Sequence, residues 1–238
     1  GMVIVNDGDV LINGAVTTST GADATQLSGG DDGKIWNVQN AFFCHMNARA
    51  ALGTTGGVLT LSNAVIDKAF MVQTYQPQYY DSTYPYFVAA AGTDNQINGY
   101  FRTCDATYQG LRIEENAMVS FNGGGRLNWA FGLGGKGTAM ISGAPFVNYS
   151  NNTAGLYVTG GGRLIYAIAN NSMAYTGVGE AGGTLETSVD YAFGQAGGNV
   201  YLTGASAGQG SVLEVDDTVQ HIKTLRGSND GKVKNAAL

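Results

Sequence analysis

An all-β chain wound as one coil of short parallel strands is the fold this sequence predicts, and three observations predict it. Glycine supplies 37 of the 238 residues, about twice its average share. Apolar and polar residues alternate in short runs, the period-two pattern of a half-buried strand. The same order of strand, glycine corner and strand also returns along the chain. Its clearest copy is Gly155-Leu156-Tyr157-Val158-Thr159-Gly160-Gly161-Gly162-Arg163-Leu164-Ile165-Tyr166.

Further copies begin at Gly57, Gly110, Gly137, Gly183, Gly198 and Gly210, each followed by alternating apolar residues as in Gly110-Leu111-Arg112-Ile113. Such a strand cannot bury its apolar side alone. Stacked copies can, because each rung pairs its backbone with the rungs above and below while inward side chains build one core. Glycine and asparagine suit the corners, where tight bends need conformations other residues adopt at a cost. Rungs of about 20 to 25 residues at a spacing of roughly 4.8 Å would give about ten rungs and a rod of roughly 50 Å. An antiparallel β-sandwich or jelly roll also uses short strands and glycine turns. The scarcity of crisp two-residue hairpin signals after residue 16 favours the coil.

Taken in order, residues 2–16 read as Val3-Ile4-Val5, a turn at Asn6-Asp7-Gly8-Asp9, then Val10-Leu11-Ile12 and a turn at Asn13-Gly14. The string fits a hairpin or a strand-corner-strand of the coil. Residues 17–33 are rich in Thr, Ser, Gly and Asp and read as a loop. Across 34–53 the clustered Ile35, Trp36, Val38, Phe42, Phe43 and Met46 predict a short helix with a glycine stop or two buried strands. This segment suits an end cap, which an open coil needs over its terminal rung. Residues 57–72 return to the repeat. Residues 73–98, with five tyrosines and two prolines, depart from it and read as an inserted loop. From Gly99 to about Leu225 the chain is repeat-like throughout, and one elongated domain over 1–238 is the economical organisation.

Composition limits the function classes. The net charge is −6 and the pI about 4.7, which argues against nucleic acid or an anionic membrane as partner. Charged residues make up only 13%, roughly half the usual share, a profile common in secreted or cell-surface all-β proteins. No apolar run approaches the ~20 residues of a membrane span. Gly1-Met2 reads as the remnant of a cleaved tag, so an export signal or anchor of a longer chain is expected to lie outside this sequence. Cys44 and Cys104 are the only cysteines; one bridge or two thiols both fit.

The run Gly210-Ser211-Val212-Leu213-Glu214-Val215-Asp216-Asp217-Thr218-Val219-Gln220-His221-Ile222-Lys223-Thr224-Leu225-Arg226-Gly227 resembles the strand repeat of autotransporter passengers. The likeness is good over 183–238, partial over 99–182 and weak before 57. It implies a right-handed parallel β-helix in an exported bacterial surface protein, often adhesive. The uneven repeat length, the Tyr-rich insertion and the lack of an amphipathic C-terminal barrel region depart from that family.

Enzymes on such coils usually converge acidic residues with Arg or Lys on one exposed face. Three or more carboxylates with an arginine in one groove would be that signature. Here the acids are spread through the sequence, and the adjacent pairs Glu114-Glu115 and Asp216-Asp217 point to opposite faces of a strand, so neither forms a dyad. Asp7-Gly8-Asp9 and Asp31-Asp32-Gly33 lack the spaced ligands of a calcium loop. His45 and His221 are the only histidines, and no paired ligand spacing predicts zinc. Cys44 beside His45 does not make a nucleophile and base. The glycine triplets at 123–125 and 160–162 lack the Lys-Ser/Thr sequel of a phosphate loop. The sequons at Asn148, Asn151 and Asn170 are expected by chance in a chain this rich in Asn, Ser and Thr. No catalytic residue, metal or cofactor is therefore expected.

The one local concentration of binding chemistry is Tyr75, Tyr79, Tyr80, Tyr84 and Tyr86. Tyrosine offers a flat apolar ring with a polar tip, suited to stacking on sugars or to a protein interface. These residues are the candidate patch for a glycan or for a host or neighbouring-cell surface protein. The expected role is a non-enzymatic structural or adhesive segment; a polysaccharide lyase or hydrolase, or a phage fibre or tailspike segment, are the alternatives.

Overall fold

The computed structural model describes residues 2–5, 10–16, 24–28, 35–39, 41–46, 59–67, 69–74, 87–103, 109–127, 130–148, 155–179, 182–203, 210–228 and 230–235. Among them there is no helix. Parallel strands stack as a β-solenoid, on three faces. The first face is a six-stranded parallel sheet of β1 (Met2–Val5), β5 (Ala41–Met46), β7 (Ala69–Thr74), β10 (Phe101–Thr103), β13 (Gly125–Leu127) and β16 (Phe146–Asn148). The second runs through β8 (Phe87–Ala89), β11 (Gln109–Ile113), β14 (Phe131–Gly135), β17 (Gly155–Val158), β19 (Tyr175–Val178), β21 (Gly198–Thr203) and β23 (Ile222–Ser228). The third runs through β9 (Asp94–Ile97), β12 (Met118–Phe121), β15 (Thr138–Ile141), β18 (Arg163–Tyr166), β20 (Gly183–Thr187), β22 (Ser211–Val215) and β24 (Lys232–Asn235).

Strand β6 (Leu59–Ile66) belongs to both of the last two faces: Leu59–Leu61 pairs with β8, and Val65 and Ile66 with β9. Strand β2 (Val10–Val16) lies along β6, with a register shift at Gly14. Strands β1 and β2 pair with β5 and β6 and not with each other, so they do not form a hairpin. The stretch read as a loop contains β3 (Ala24–Ser28), which forms an antiparallel pair with β4 (Ile35–Gln39). Residues 35–46 hold two strands and no helix. Strands β8 and β9 fall inside 73–98, so the repeat resumes by Phe87.

Among the described residues, six turns carry a strand on the first face, and three more levels continue on the other two. Turn length is uneven, as the sequence repeat is. The step from Phe121 to its partner Ile141 is a short one, and the step from Thr187 to Val215 is longer. The register absorbs this variation in the corners and keeps the apolar residues in columns. One column on the second face is Leu111, Leu133, Val158, Val178 and Leu202. Two on the third face are Val119, Ala139, Leu164, Leu185 and Leu213, and Ile97, Phe121, Ile141 and Tyr166. All of these are buried; each such large apolar side chain contributes about 1.5–3 kcal/mol relative to exposure. The columns come to the surface at the end of the stack. Leu225, in register with Val200, is 48% exposed, and Val233, in register with Leu213, is 55% exposed.

A phenylalanine cluster fills the middle turns. Phe101 and Phe146 come from the first face, Phe131 from the second and Phe121 from the third. Phe101 meets Phe121 and Phe131 edge-on at 5.1 and 5.5 Å between ring centroids, and lies stacked with Phe146 at 6.1 Å. Phe101 and Phe146 are two rungs apart, with Gly125 in register between them. The vacant side-chain position lets the Phe146 ring lean across: a Cβ at Gly125 would lie 2.5 Å from it.

Polar corners are ordered by ladders. Asp67, Asn98, Asn122 and Ser142 follow β6, β9, β12 and β15. Asn98 donates to Asp67 at 2.8 Å, Asn122 to Asn98 at 2.7 Å and Ser142 to Asn122 at 2.7 Å. Beyond β16 the first face has no further strand among the described residues, and side-chain amides join the backbone bonds between turns there. Asn171 accepts from the Phe146 N–H at 2.9 Å and donates to the carbonyls of Ile168 and Ala192. Gln220 accepts from the Ala192 N–H and donates to the Val189 carbonyl. Asn63, Asn116 and Asn170 adopt positive φ at their corners, as asparagine does at lower cost than most residues.

Gly125→Ala is expected to force the Phe146 ring out of its slot and destabilise the chain by about 1–3 kcal/mol, the range for overpacking. Urea unfolding measures it, and Phe146→Leu in the same chain should recover part of the loss. A second expectation concerns Tyr166, whose buried hydroxyl shares a 2.8 Å hydrogen bond with Thr176. Burial pushes that hydroxyl well above its ordinary pKa, the Thr176 bond acting weakly in the other direction. The fold therefore holds the proton more tightly than the unfolded chain. The resulting stability is intact below about pH 10 and declines above it, by up to ~1.4 kcal/mol per pH unit. Tyr166→Phe removes that alkaline slope in denaturation curves while costing about 1–3 kcal/mol at neutral pH for the stranded Thr176 hydroxyl. Tyr166→Phe with Thr176→Val regains most of that cost.

Candidate functional site

The outward positions of the second face carry an aromatic row. Strand alternation turns Leu156 and Val158 inward and Tyr157 outward, and does the same for Tyr201 between Val200 and Leu202. Register places Tyr157 opposite Gly177 and Gly177 opposite Tyr201. Tyr175, on the same outward side as Gly177, stands opposite Gly155. The three rings form a chain, with centroids 4.8 Å apart from Tyr157 to Tyr175 and 5.9 Å from Tyr175 to Tyr201. The glycines explain how the rings lie. The Tyr157 ring occupies the space a side chain at Gly177 would take, and the Tyr175 ring does the same at Gly155. Each ring covers bare backbone on the neighbouring strand, as aromatics do beside strand glycines. At the end of the row Arg226, in register with Tyr201, holds its guanidinium 5.6 Å from the centre of that ring. Chemically this is a half-buried aromatic strip ended by one exposed cation.

The third face carries the charged cluster of highest density among the described residues. Glu186 and Glu214 are in register on adjacent rungs, so their carboxylates stack. Arg163, on the rung before Glu186, donates through Nε and Nη2 to Glu186 and through Nη2 to Glu214 at 2.8 Å. Like charges opposite one another on strands repel, and the shared guanidinium offsets that repulsion. Both carboxylates are turned toward this one cation. Two carboxylates and an arginine meet here, one carboxylate short of the signature set for an enzyme on such a coil.

The other polar residues singled out in the sequence have local roles. Glu114 pairs with Arg112 at 2.7 Å, and Asp217 occupies a corner at positive φ. Glu114-Glu115 and Asp216-Asp217 follow the ends of β11 and β22 and do not lie on strands, so strand alternation does not set which way they point. The His221 ring contacts the Gln195 carbonyl oxygen through Nδ1 at 2.8 Å and packs edge-on against Tyr191. At the triplet 160–162, Gly160 and Gly161 take positive φ, and the Gly161 N–H donates to the Gly182 carbonyl of the next turn. This is a stacked corner. Among the described residues no three His, Cys, Asp or Glu side chains gather as metal ligands.

Tyr75, Tyr79, Tyr80, Tyr84 and Tyr86 lie outside the described residues, as do the side chains of Cys44, Cys104 and His45 and the acids of the 7–9 and 31–32 turns. Tyr157, Tyr175 and Tyr201 do not stand out as a group in the sequence. They sit in three separate strands, and only register unites them. Aligning the chain on its inward Val158, Val178 and Leu202 would have put Tyr157, Gly177 and Tyr201 in one column.

The chain matches no protein-family model, no curated protein and no solved structure. The likeness to autotransporter passengers therefore rests on the sequence repeat, and the solenoid itself on the strand pairing.

Arg163→Met leaves Glu186 and Glu214 stacked without a shared cation. It is expected to destabilise the chain by up to about 1 kcal/mol, the scale of a cross-strand charge pair at a partly exposed site. Adding Glu186→Gln should recover that loss in thermal unfolding. No recovery would mean the pair is not what Arg163 stabilises.

Proposed function

We propose that this chain is a non-enzymatic structural and adhesive segment of an exported bacterial surface protein, of the autotransporter-passenger type. The observation that carries this reading is the Tyr157–Tyr175–Tyr201 row. A solenoid buries its apolar columns inside, so rings placed on its outer side lie where a partner would meet them. Half-buried tyrosines held by neighbouring backbone also lose little freedom on contact, and tyrosine is enriched at recognition surfaces. The low charge content and the length-wise stack of rungs fit a spacer that presents such a surface. The partner is a glycan or a surface protein of a host or neighbouring cell, and the Tyr75, Tyr79, Tyr80, Tyr84 and Tyr86 segment is a second contact. Display outside the cell follows from this reading.

A second reading, a polysaccharide lyase or hydrolase, draws on the convergence of Arg163, Glu186 and Glu214. The two are separated by one comparison. Beads coated with the protein should adhere to cultured epithelial cells or a mucin layer above the level of uncoated beads. Incubation with polysaccharides should release neither reducing ends nor unsaturated products. Release of such products that is lost in Glu186→Gln would replace the adhesive reading with the enzymatic one. If adhesion is real, Tyr79, Tyr80 and Tyr84 changed together to Ala should reduce it severalfold; unchanged adhesion would remove that segment from the contact.

A further inference from the structure

We propose that the last strand of the third face, β24, is a docking edge for an extended acidic segment of a partner protein, with an acid–apolar–acid pattern laid against Lys232, Val233 and Lys234. The contact uses a different surface from the tyrosine row and does not rest on the adhesive reading.

Backbone pairing makes β24 an edge. Among the described residues it pairs with β22 on one side and with no strand on the other. All four of its residues are exposed. Register carries the inward column from Leu185 through Leu213 to Val233. Val233 is 55% exposed, because among the described residues no further rung covers it. Such an edge sets a row of backbone donors and acceptors beside an apolar position, which is what strand addition uses. A sugar, a lipid headgroup or a nucleic acid has no alternating amides to continue the ladder. An extended polypeptide has them.

Charge selects among polypeptides. From β8 to β22, the strands of the second and third faces carry Asp94, Arg112, Arg163, Glu186 and Glu214, three acids and two cations. The terminal strands β23 and β24 carry Lys223, Arg226, Lys232 and Lys234 and no acid. Lysines on an edge keep like edges apart, so two copies meeting through this end would set cation against cation. The same lysines favour a strand that brings carboxylates. Lys234 stands in register with Glu214, but that carboxylate is turned to Arg163. Among the described residues neither Lys232 nor Lys234 has a carboxylate within ion-pair distance. The two lysines flank Val233 on the outward side, so a strand in register needs an apolar residue between two acids. That pattern reads the same in both directions and serves a parallel or an antiparallel partner. The net charge of −6 weighs against polyanions that meet the whole surface. A short segment meets only the terminal rung, within a screening length of about 8 Å.

The test uses the full chain with two blocked, labelled peptides, Ser-Thr-Glu-Val-Glu-Thr-Gly and its counterpart with lysine in place of each glutamate. Fluorescence anisotropy reads binding, and hydrogen exchange reads the β24 amides. The glutamate peptide should bind, slow exchange in β24 and weaken as salt is raised. The lysine peptide should bind about tenfold more weakly. Lys232→Glu with Lys234→Glu should reverse that preference. Should the facing Glu214 keep this variant from folding, Lys232→Gln with Lys234→Gln serves instead and should abolish the preference. Failure of the glutamate peptide to bind, equal binding of both peptides to the wild-type chain, or a preference indifferent to the lysine substitutions would overturn the proposal. So would concentration-dependent self-association in sedimentation that protects the β24 amides, since a second copy would then be the occupant.

Discussion

In-register parallel pairing is the constraint from which the rest of the solenoid follows. Each strand must offer its backbone to the strand below and the strand above, so a residue's neighbours are the ones a whole turn away. A side chain is selected as a member of a column, not as a member of a strand. Leu133 is useful because Leu111 and Val158 stand before and after it, and the same holds for Leu164 between Ala139 and Leu185. A slip of one residue would turn every column inside out. Short and long turns keep one register because the surplus is taken up between strands.

Columns also explain where the core departs from simple aliphatic stacking. Tyr166 continues the column Ile97, Phe121 and Ile141, and Thr176 continues the column of Phe131 and Leu156. Each alone would bury an unsatisfied hydroxyl at a cost of about 1–3 kcal/mol. Placed across the core from each other, they satisfy one another. Gly125 works by the same logic in reverse. A missing side chain in one rung is filled by Phe146 from the next, so packing density is kept by a neighbour along the axis. The first face loses its strands after β16, yet its hydrogen bonding continues through Asn171 and Gln220. Backbone groups there find amide side chains as well as backbone partners on the next turn, such as Ser172 to Phe146 and Asn171 to Ala192, as buried polar groups must find some partner.

The sequence made the coil legible because inward positions and corners leave short local marks. Gly110-Leu111-Arg112-Ile113 and Gly198-Asn199-Val200-Tyr201-Leu202 are both in strands of the second face. Neither strand β3 nor strand β8 left such a mark. The first sits in a Thr/Ser/Gly-rich run, and the second, a short strand, follows the tyrosine-rich segment closely enough to be read as part of it. Features made by register were invisible for a different reason. Arg163, Glu186 and Glu214 belong to three successive rungs, and the tyrosines of the row are as scattered along the chain. Local clustering drew attention to Tyr75–Tyr86, whereas the rings that the pairing gathers are far apart in sequence.

The outer faces obey looser rules than the core, and that difference decides what can be read as functional. Inside, a wrong volume costs stability at once. Outside, a strand needs only cover for its backbone and relief from like charges on adjacent rungs. Arg163 meets the second need for Glu186 and Glu214, and its placement is accounted for by that alone. Tyrosine exceeds the first need. A leucine or valine would cover Gly155 or Gly177, and would bury its apolar surface as well without a polar tip to keep solvated. Two successive rungs use tyrosine for the task, Tyr157 over Gly177 and Tyr175 over Gly155, and Tyr201 with Arg226 continues the row where no glycine asks for cover. That excess is why the contact surface is proposed for the second face and not for the charged cluster of the third.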